Sequence, residues 1–183
     1  NINNGTYLQM LTQIGREGYG SDIDFAKAVV EATLIRTFNN VHRITIRGEA
    51  GVIKTNSFDE VPTSLRFYAG GDKSVRGFDY REISPTAEVI DPETGELIVD
   101  SIGGKYLATS SVEYAYQVAD NWRVAAFVDA GTATNDTSTT LTYSVGPGVH
   151  WLSPIGPVRL YVARGFAPDE NTWQLHILLG PEL

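Results

Sequence analysis

The sequence predicts an all-β fold, a transmembrane antiparallel up-and-down β-barrel with eight strands in this chain. Apolar and polar residues alternate with period two in eight segments, as in strands with one face in water and the other in an apolar medium. These segments run about ten to fourteen residues, and a tilted strand needs about 9 to 11 to cross a bilayer. Aromatic residues suited to a membrane interface lie near segment ends: Tyr106, Tyr116, Trp122, Trp151 and Trp173.

The first three strands precede the longest connection of the chain. Residues 6–15 alternate clearly between apolar and polar. Residues 26–34 are rich enough in alanine to suit an amphipathic helix as well, but their period of two favours a strand. Residues 42–55 form the third strand, and Asn39 and Asn40 supply the turn before it.

A connection over about residues 56–103 separates the third strand from the fourth. Connections in compact domains are usually about four to six residues long, so this one is predicted to be functional or disordered. Its central part, residues 70–80 and here called the arginine loop, places Arg76 among flexible glycines and bulky aromatics. The aromatic side chains favour a loop that folds back against the barrel: Phe67, Tyr68, Phe78 and Tyr80.

Five strands follow the long connection. Asp120 and Asn121 form a short turn, residues 153–157 form another, and the polar stretch 132–140 is predicted to be a loop. Short and long connections therefore alternate, which is typical of outer-membrane barrels. The strands themselves are predicted at residues 105–117, 122–131, 143–151, 158–162 and 173–179.

Arg76 has two candidate partners, Glu113 and Asp129. Both lie on the polar faces of strands joined by the short turn at residues 120–121, so antiparallel pairing makes them near neighbours in the lumen. Two carboxylates on one wall suit a buried guanidinium, because an unpaired buried charge is costly. The alternatives are an arginine in a solvated loop and carboxylates solvated by channel water.

Composition narrows the class of protein. The 183 residues fit one domain, and the 22 acidic and 14 basic residues give a formal charge of −8, which disfavours a nucleic-acid partner. Cysteine is absent, which excludes disulfides, thiol catalysis and cysteine metal sites. A soluble barrel with its apolar face inward remains the alternative. The charged residues lie on one face only, and this favours a membrane barrel with a wet interior and lipid as a partner.

The sequence gives little support for an enzyme. Ser153, His150 and Asp129 are the best candidates for catalysis, but no nucleophile elbow or oxyanion pattern surrounds them. The histidines at positions 42, 150 and 176 are scattered, and the acidic run at 91–96 lacks the spacing of a calcium loop. We therefore expect no catalytic residues, no cofactor and no metal.

Three motifs occur in one order: GGDKSVRGFDY at 70–80, FVDAG at 127–131 and GPGVHWLSPIGPVRLYVA at 146–163. Together they resemble the outer-membrane assembly superfamily that contains BamA, TamA and the two-partner secretion translocators. The Gly-Gly-Asp before SVRGF is most similar to TamA-like members. The motif residues are Gly70, Gly71, Asp72, Val75, Arg76, Gly77, Phe78, Glu113, Phe127, Asp129 and Gly131.

The resemblance implies a sixteen-stranded barrel preceded by POTRA domains, of which residues 1–183 form the last eight strands. It also implies that Arg76 reaches into the lumen and pairs with Glu113 and Asp129. The implied role is non-enzymatic: translocation and assembly of unfolded outer-membrane proteins or autotransporters at the bacterial outer membrane, with a TamB-like inner-membrane-anchored partner. A two-partner secretion translocator and a passive outer-membrane pore are the alternatives.

Eight strands alone face a problem, because an open sheet leaves two unpaired edges in lipid. Closure into a small eight-stranded barrel, pairing of two copies, or strands from another chain each satisfy the backbone. We expect closure. Because such a barrel holds little more than its own side chains, closure is expected to displace the arginine loop.

Overall fold

The computed structural model describes residues 4–18, 21–90, 95–136, 141–154, 156–168 and 171–180. Most of the acidic run at 91–96, the end of the polar stretch at 137–140 and the centre of the turn at 153–157 lie outside the described residues. Eight long antiparallel strands form one sheet, each beside the next in sequence order, as the alternation predicts.

The sheet begins with β1 (Gly5–Gly15), β2 (Phe25–Phe38) and β3 (His42–Thr55). Two short strands within the long connection, β4 (Thr86–Ile90) and β5 (Leu97–Ser101), pair only with each other. The remaining strands of the large sheet are β6 (Tyr106–Ala119), β7 (Trp122–Thr134), β8 (Thr142–Ser153), β9 (Gly156–Phe166) and β10 (Asn171–Leu179). The predicted strand for residues 26–34 is confirmed, and β2 is no helix.

The short connections lie at one end of the sheet. Asn39 and Asn40 have φ angles of 50° and 60°, and the Val41 N–H donates to the Phe38 carbonyl at 3.1 Å, so a tight turn with two left-handed asparagines joins β2 to β3. Ala119 pairs with Trp122 across the predicted turn at 120–121. The long connections, including the arginine loop, lie at the opposite end, as in outer-membrane barrels.

The predicted boundary between β7 and the loop that follows it was wrong. Thr132 and Thr134 are not loop residues but the end of β7, where they pair with Ala108 and Tyr106, because β-branched threonine suits a strand. The long connection also has structure of its own, namely two 3₁₀ turns, Phe58–Glu60 and Thr63–Leu65, and the β4–β5 hairpin. Strands of five residues carry too little alternation to be recognised from the sequence.

The outer face of the sheet is apolar and exposed. Val112, Val128 and Leu160 are all more than 40% exposed on it, which is expected for side chains that face lipid. Aromatic residues form belts at both ends, and at the short-turn end Trp122 and Trp151 stack with centroids 5.9 Å apart. Among the described residues, no helix has the length and apolar character needed to cross a membrane.

The sheet is open, which corrects the expected closure. Within the part of the chain that the structure describes, β1 and β10 stand at opposite ends of the strand order and do not pair. The arginine loop gives the physical reason. It packs against the inner face of the sheet, where an eight-stranded barrel has room only for its own side chains.

Candidate functional site on the inner face

Glycines shape the tip of the arginine loop. Gly70, Gly71 and Gly77 have φ angles of 100°, 96° and 89°, a region that side chains with a Cβ rarely adopt. A Cβ on Gly70 would also lie 2.5 Å from the carbonyl oxygen of Asp79. The Gly71 N–H donates to the Phe78 carbonyl at 3.1 Å and closes the tip. The closed tip directs Arg76 at the sheet.

Asp129 is the main partner of Arg76. Its Oδ2 accepts from the Arg76 Nε at 2.8 Å and from the Arg76 backbone N–H at 3.0 Å, and its Oδ1 accepts from Nη2 at 2.8 Å. The side chain of Asp129 is 0% exposed. This bidentate, charge-assisted pairing fixes both the side chain and the backbone of the loop at one point.

Glu113 and Ser111 hold the rest of the guanidinium. Arg76 Nη1 donates to Glu113 Oε2 at 2.7 Å, and Nη2 donates to Ser111 Oγ at 3.1 Å. Ser111 lies directly opposite Asp129 in the β6–β7 ladder, so Glu113 and Asp129 are diagonal neighbours on one face. The structure thus brings together the three side chains that the sequence predicted to pair, Arg76, Glu113 and Asp129.

Two aromatic rings complete the pocket. The Arg76 guanidinium lies 3.6 Å from the ring centroid of Phe127 and 4.5 Å from that of Tyr161. The rings meet edge to face at 5.6 Å. Burial by itself lowers the pKa of Arg76, but the hydrogen bond and charge of Asp129 and the charge of Glu113 outweigh it and raise that pKa. The arginine therefore stays charged although it is buried.

The remaining motif residues support the same contact. Val75 is fully buried, and a Cβ on Gly131 would lie 2.7 Å from its Cγ2, so the FVDAG glycine makes room for the loop. Phe78 is 2% exposed. Asp72 is bonded to His176 on β10. Tyr80 departs from the expectation of a packed aromatic, since it is 79% exposed.

Sequence reasoning missed several residues of the site. His150 lies between Glu113 and Tyr161, 3.4 Å from Glu113 Oε1 and 2.9 Å from the Tyr161 hydroxyl. Tyr161 carried a signal, because it is an aromatic at a polar-face position between Leu160 and Val162. The residues missed as contacts of the loop or its carboxylates are Ser111, His150, Tyr161, Thr172 and His176.

The structure does not assemble the catalytic alternative. Ser153 donates to the Gly156 carbonyl at the β8–β9 turn. His150 lies opposite Arg123 on β7, whereas Asp129 lies opposite Ser144, six positions along β8. Among the described residues, no group of three or more His, Asp or Glu side chains is arranged to hold a metal ion.

Comparison with known proteins identifies the family. The model of the Omp85 superfamily domain matches residues 2–180. The chain belongs to the Omp85 superfamily. It lies in the bacterial outer membrane, as its apolar outer face and its relatives indicate. The prediction of the BamA and TamA family from the three motifs is confirmed.

Two curated relatives within the Omp85 superfamily are named outer membrane protein assembly factor BamA. That of Nitratidesulfovibrio vulgaris is 34% identical over 91% of this chain, and that of Neisseria meningitidis is 29% identical over 88%. The chain spans only 21% and 24% of their lengths. These relatives carry the BamA name, so the narrower TamA-like assignment stays a prediction.

A solved structure shows the same fold. The crystal structure of BamA from Haemophilus ducreyi lacking POTRA domains 1–3 superposes with a TM-score of 0.79 at 22% identity. The match covers 97% of this chain and 38% of that one. The open eight-stranded sheet therefore has the same fold as part of that BamA structure.

Proposed function

We propose that this chain forms the last eight strands of a sixteen-stranded barrel that assembles other proteins into the outer membrane without chemical catalysis. The arginine loop is then an internal latch, closed by Arg76 on Glu113 and Asp129. One observation carries the proposal, the bidentate pairing of Arg76 with Asp129, whose side chain is 0% exposed. The named activity of the BamA relatives supports the assembly role.

The latch favours assembly over a passive pore. A pore needs an open, wet lumen, whereas here a loop is pinned to the inner face by a buried charge network. Removal of one partner from such a network is strongly destabilising. A loop held on the inner face narrows the path for diffusion, whereas it gives a barrel that handles substrates a defined inner surface.

The test uses the full-length protein that contains this chain, reconstituted in liposomes with a urea-unfolded outer-membrane barrel as substrate. We expect Arg76→Ala to reduce the folded substrate, seen as a heat-modifiable gel band, by about tenfold or more, since the latch is worth several kcal/mol. Arg164→Ala is the matched control, because Arg164 is an exposed arginine beside Trp173. Equal substrate folding in both variants would refute the assembly role of the latch.

A narrower, TamA-like role with autotransporter substrates and a TamB-like partner is the second candidate. The Gly70-Gly71-Asp72 form of the motif favours it, and the BamA names of the relatives favour general assembly. Depletion of the protein in its host separates the two. Loss of one autotransporter class with normal bulk outer-membrane proteins supports the TamA-like role, and general loss supports the BamA-like role.

A further inference from the structure

The arginine loop contacts the sheet on a second side, away from Arg76. We propose that His176, together with Thr172 and Gln174, is a positioning site that ties the arginine loop to β10, so that the Arg76 latch and the last strand move as one unit. This inference goes beyond the proposed function, since it concerns what the loop does to β10 and not what the protein assembles.

His176 is bonded to the loop through both ring nitrogens. The Gly77 backbone N–H donates to Nε2 at 2.7 Å, so Nε2 carries no proton and the ring proton is on Nδ1. Nδ1 therefore donates to the Asp72 carboxylate. The ring is 4% exposed, and the N–H that it accepts belongs to a buried glycine. A group without both a donor and an acceptor cannot replace this contact.

The neighbouring inward positions of β10 also engage the loop. The Thr172 hydroxyl donates to the Gly77 carbonyl, so both backbone groups of Gly77 are bonded to β10. Gln174 Nε2 donates to Asp79 Oδ1 at 2.8 Å. Residues 172, 174 and 176 are every second residue of one strand, and each contacts the loop. Three successive inward side chains of β10 therefore bind the loop, and the contact does not depend on one side chain alone.

Close backbone approach makes these contacts possible. A Cβ on Gly77 would lie 3.0 Å from the backbone nitrogen of Gly165 in β9, and a Cβ on Gly165 would lie 2.6 Å from the Phe78 ring. Gly165 pairs with Thr172 across the β9–β10 ladder. The loop backbone thus lies directly on the sheet at the junction of its last two strands.

The position of β10 gives the tie its consequence. β10 is the last strand of the sheet and pairs with β9 alone among the described strands. Arg76 contacts β6, β7 and β9, while the next residue, Gly77, is bonded to β10. Because residues 76 and 77 share one peptide bond, displacement of β10 pulls on the Arg76 pairing. Release of Arg76 in turn loosens the loop on β10, which then relies on its pairing with β9.

Hydrogen exchange measured by mass spectrometry tests the tie in the full-length protein in detergent micelles. His176→Leu keeps the bulk of the side chain and removes both nitrogens. We expect exchange of loop amides 72–79 and of β10 amides to rise about tenfold, as for loss of one buried hydrogen bond. His176→Gln, which retains one acceptor and one donor, is expected to restore most of the protection. Ile177→Val, on the lipid face of β10, is the control.

A second arm separates coupling from local packing. Arg76→Ala is expected to raise the exchange of β10 amides as well, although the side-chain contacts of Arg76 are with β6, β7 and β9. In the double variant Arg76→Ala with His176→Leu, the rise in exchange free energy is expected to be smaller than the sum of the two single rises. Wild-type β10 exchange in Arg76→Ala, or wild-type loop exchange in His176→Leu, would overturn the proposal.

The test also covers a variant that does not fold and a protein that does not assemble substrates. If His176→Leu does not fold, the comparison of Thr172→Val and Gln174→Ala with Ile177→Val decides instead, and equal exchange in all three overturns the tie. The readout is independent of substrate assembly. A folded protein that assembles nothing still gives the exchange result, so failure of the proposed function and failure of this inference are distinguishable.

Discussion

The inner faces of β1 and β7 have the same alternating pattern but very different environments. On β7, Arg123, Phe127 and Asp129 are all at most 5% exposed. On β1, the inward Leu11 is 47% exposed, and the strand has no buried residue along its length. One difference is the arginine loop, which contacts β6, β7, β9 and β10, here called the covered wall, and has no contact with β1 among the described residues. Strands β1 to β3 are here called the open wall. Period two therefore determines which way a side chain faces, and the segments that pack over it determine how far it is buried.

The charges of the two walls differ in the same way. On the covered wall, Glu113 and Asp129 share one guanidinium. On the open wall, Glu31 and Glu49 lie directly opposite each other in the β2–β3 ladder. Like charges in that arrangement destabilise a sheet slightly, and the nearby Lys27 offsets part of the repulsion. Carboxylates on the two walls are therefore expected to respond oppositely to substitution.

Loss of a carboxylate from the covered wall has the largest expected effect. Asp129→Ala leaves the Arg76 guanidinium and its backbone N–H without their main acceptor, at an expected cost of about 3–5 kcal/mol of unfolding free energy. Denaturant unfolding in micelles, followed by tryptophan fluorescence, measures it. Asp129→Asn is the isosteric comparison, and its unfolding free energy is expected to lie between those of the wild type and Asp129→Ala. A wild-type midpoint for Asp129→Ala would show that the wall is not held by this pair.

A methyl group beneath the loop has an intermediate effect. In Gly131→Ala the new Cβ lies 2.7 Å from Val75 Cγ2 and 3.0 Å from Thr109 Cγ2, so we expect a loss of about 1–3 kcal/mol in the same unfolding assay. Gly48→Ala on β3 is the control. Its nearest contact is 3.6 Å, so this change is expected to be neutral or slightly stabilising. Equal losses at both sites would mean that any strand glycine behaves this way.

Removal of a carboxylate from the open wall has the smallest effect, and of opposite sign. Glu49→Gln relieves the repulsion by Glu31, which outweighs the lost attraction of Lys27, so we expect a gain of about 0.2–1 kcal/mol in unfolding free energy. High salt screens the same repulsion and is expected to reduce the gain. Destabilisation by Glu49→Gln comparable with that of Asp129→Ala would remove the distinction between the two walls.

The sequence was sufficient to predict which face of each strand points inward and that Arg76 pairs with Glu113 and Asp129. Alternation is local, so the inward direction of Glu113 and Asp129 follows from their own strands, and the short turn at 120–121 brings those strands together. The His176 contact is different. It joins residues 99 positions apart, and a single histidine on β10 has no local pattern that points to Gly77. The open edges likewise depend on how the loop fills space, which no strand encodes by itself.

The three tryptophans of the chain give it a built-in optical label. Trp122 and Trp151 stack at 5.9 Å with nearly parallel rings at the short-turn end, whereas Trp173 is separate, 65% exposed, near the opposite end of β10. Stacked indoles couple their electronic transitions, so circular dichroism reports the pairing of β7 with β8. In a variant with Trp122 and Trp151 replaced by phenylalanine, the emission of Trp173 reports the surroundings of β10. Opening at the last strand is thereby visible by light alone, without an added probe.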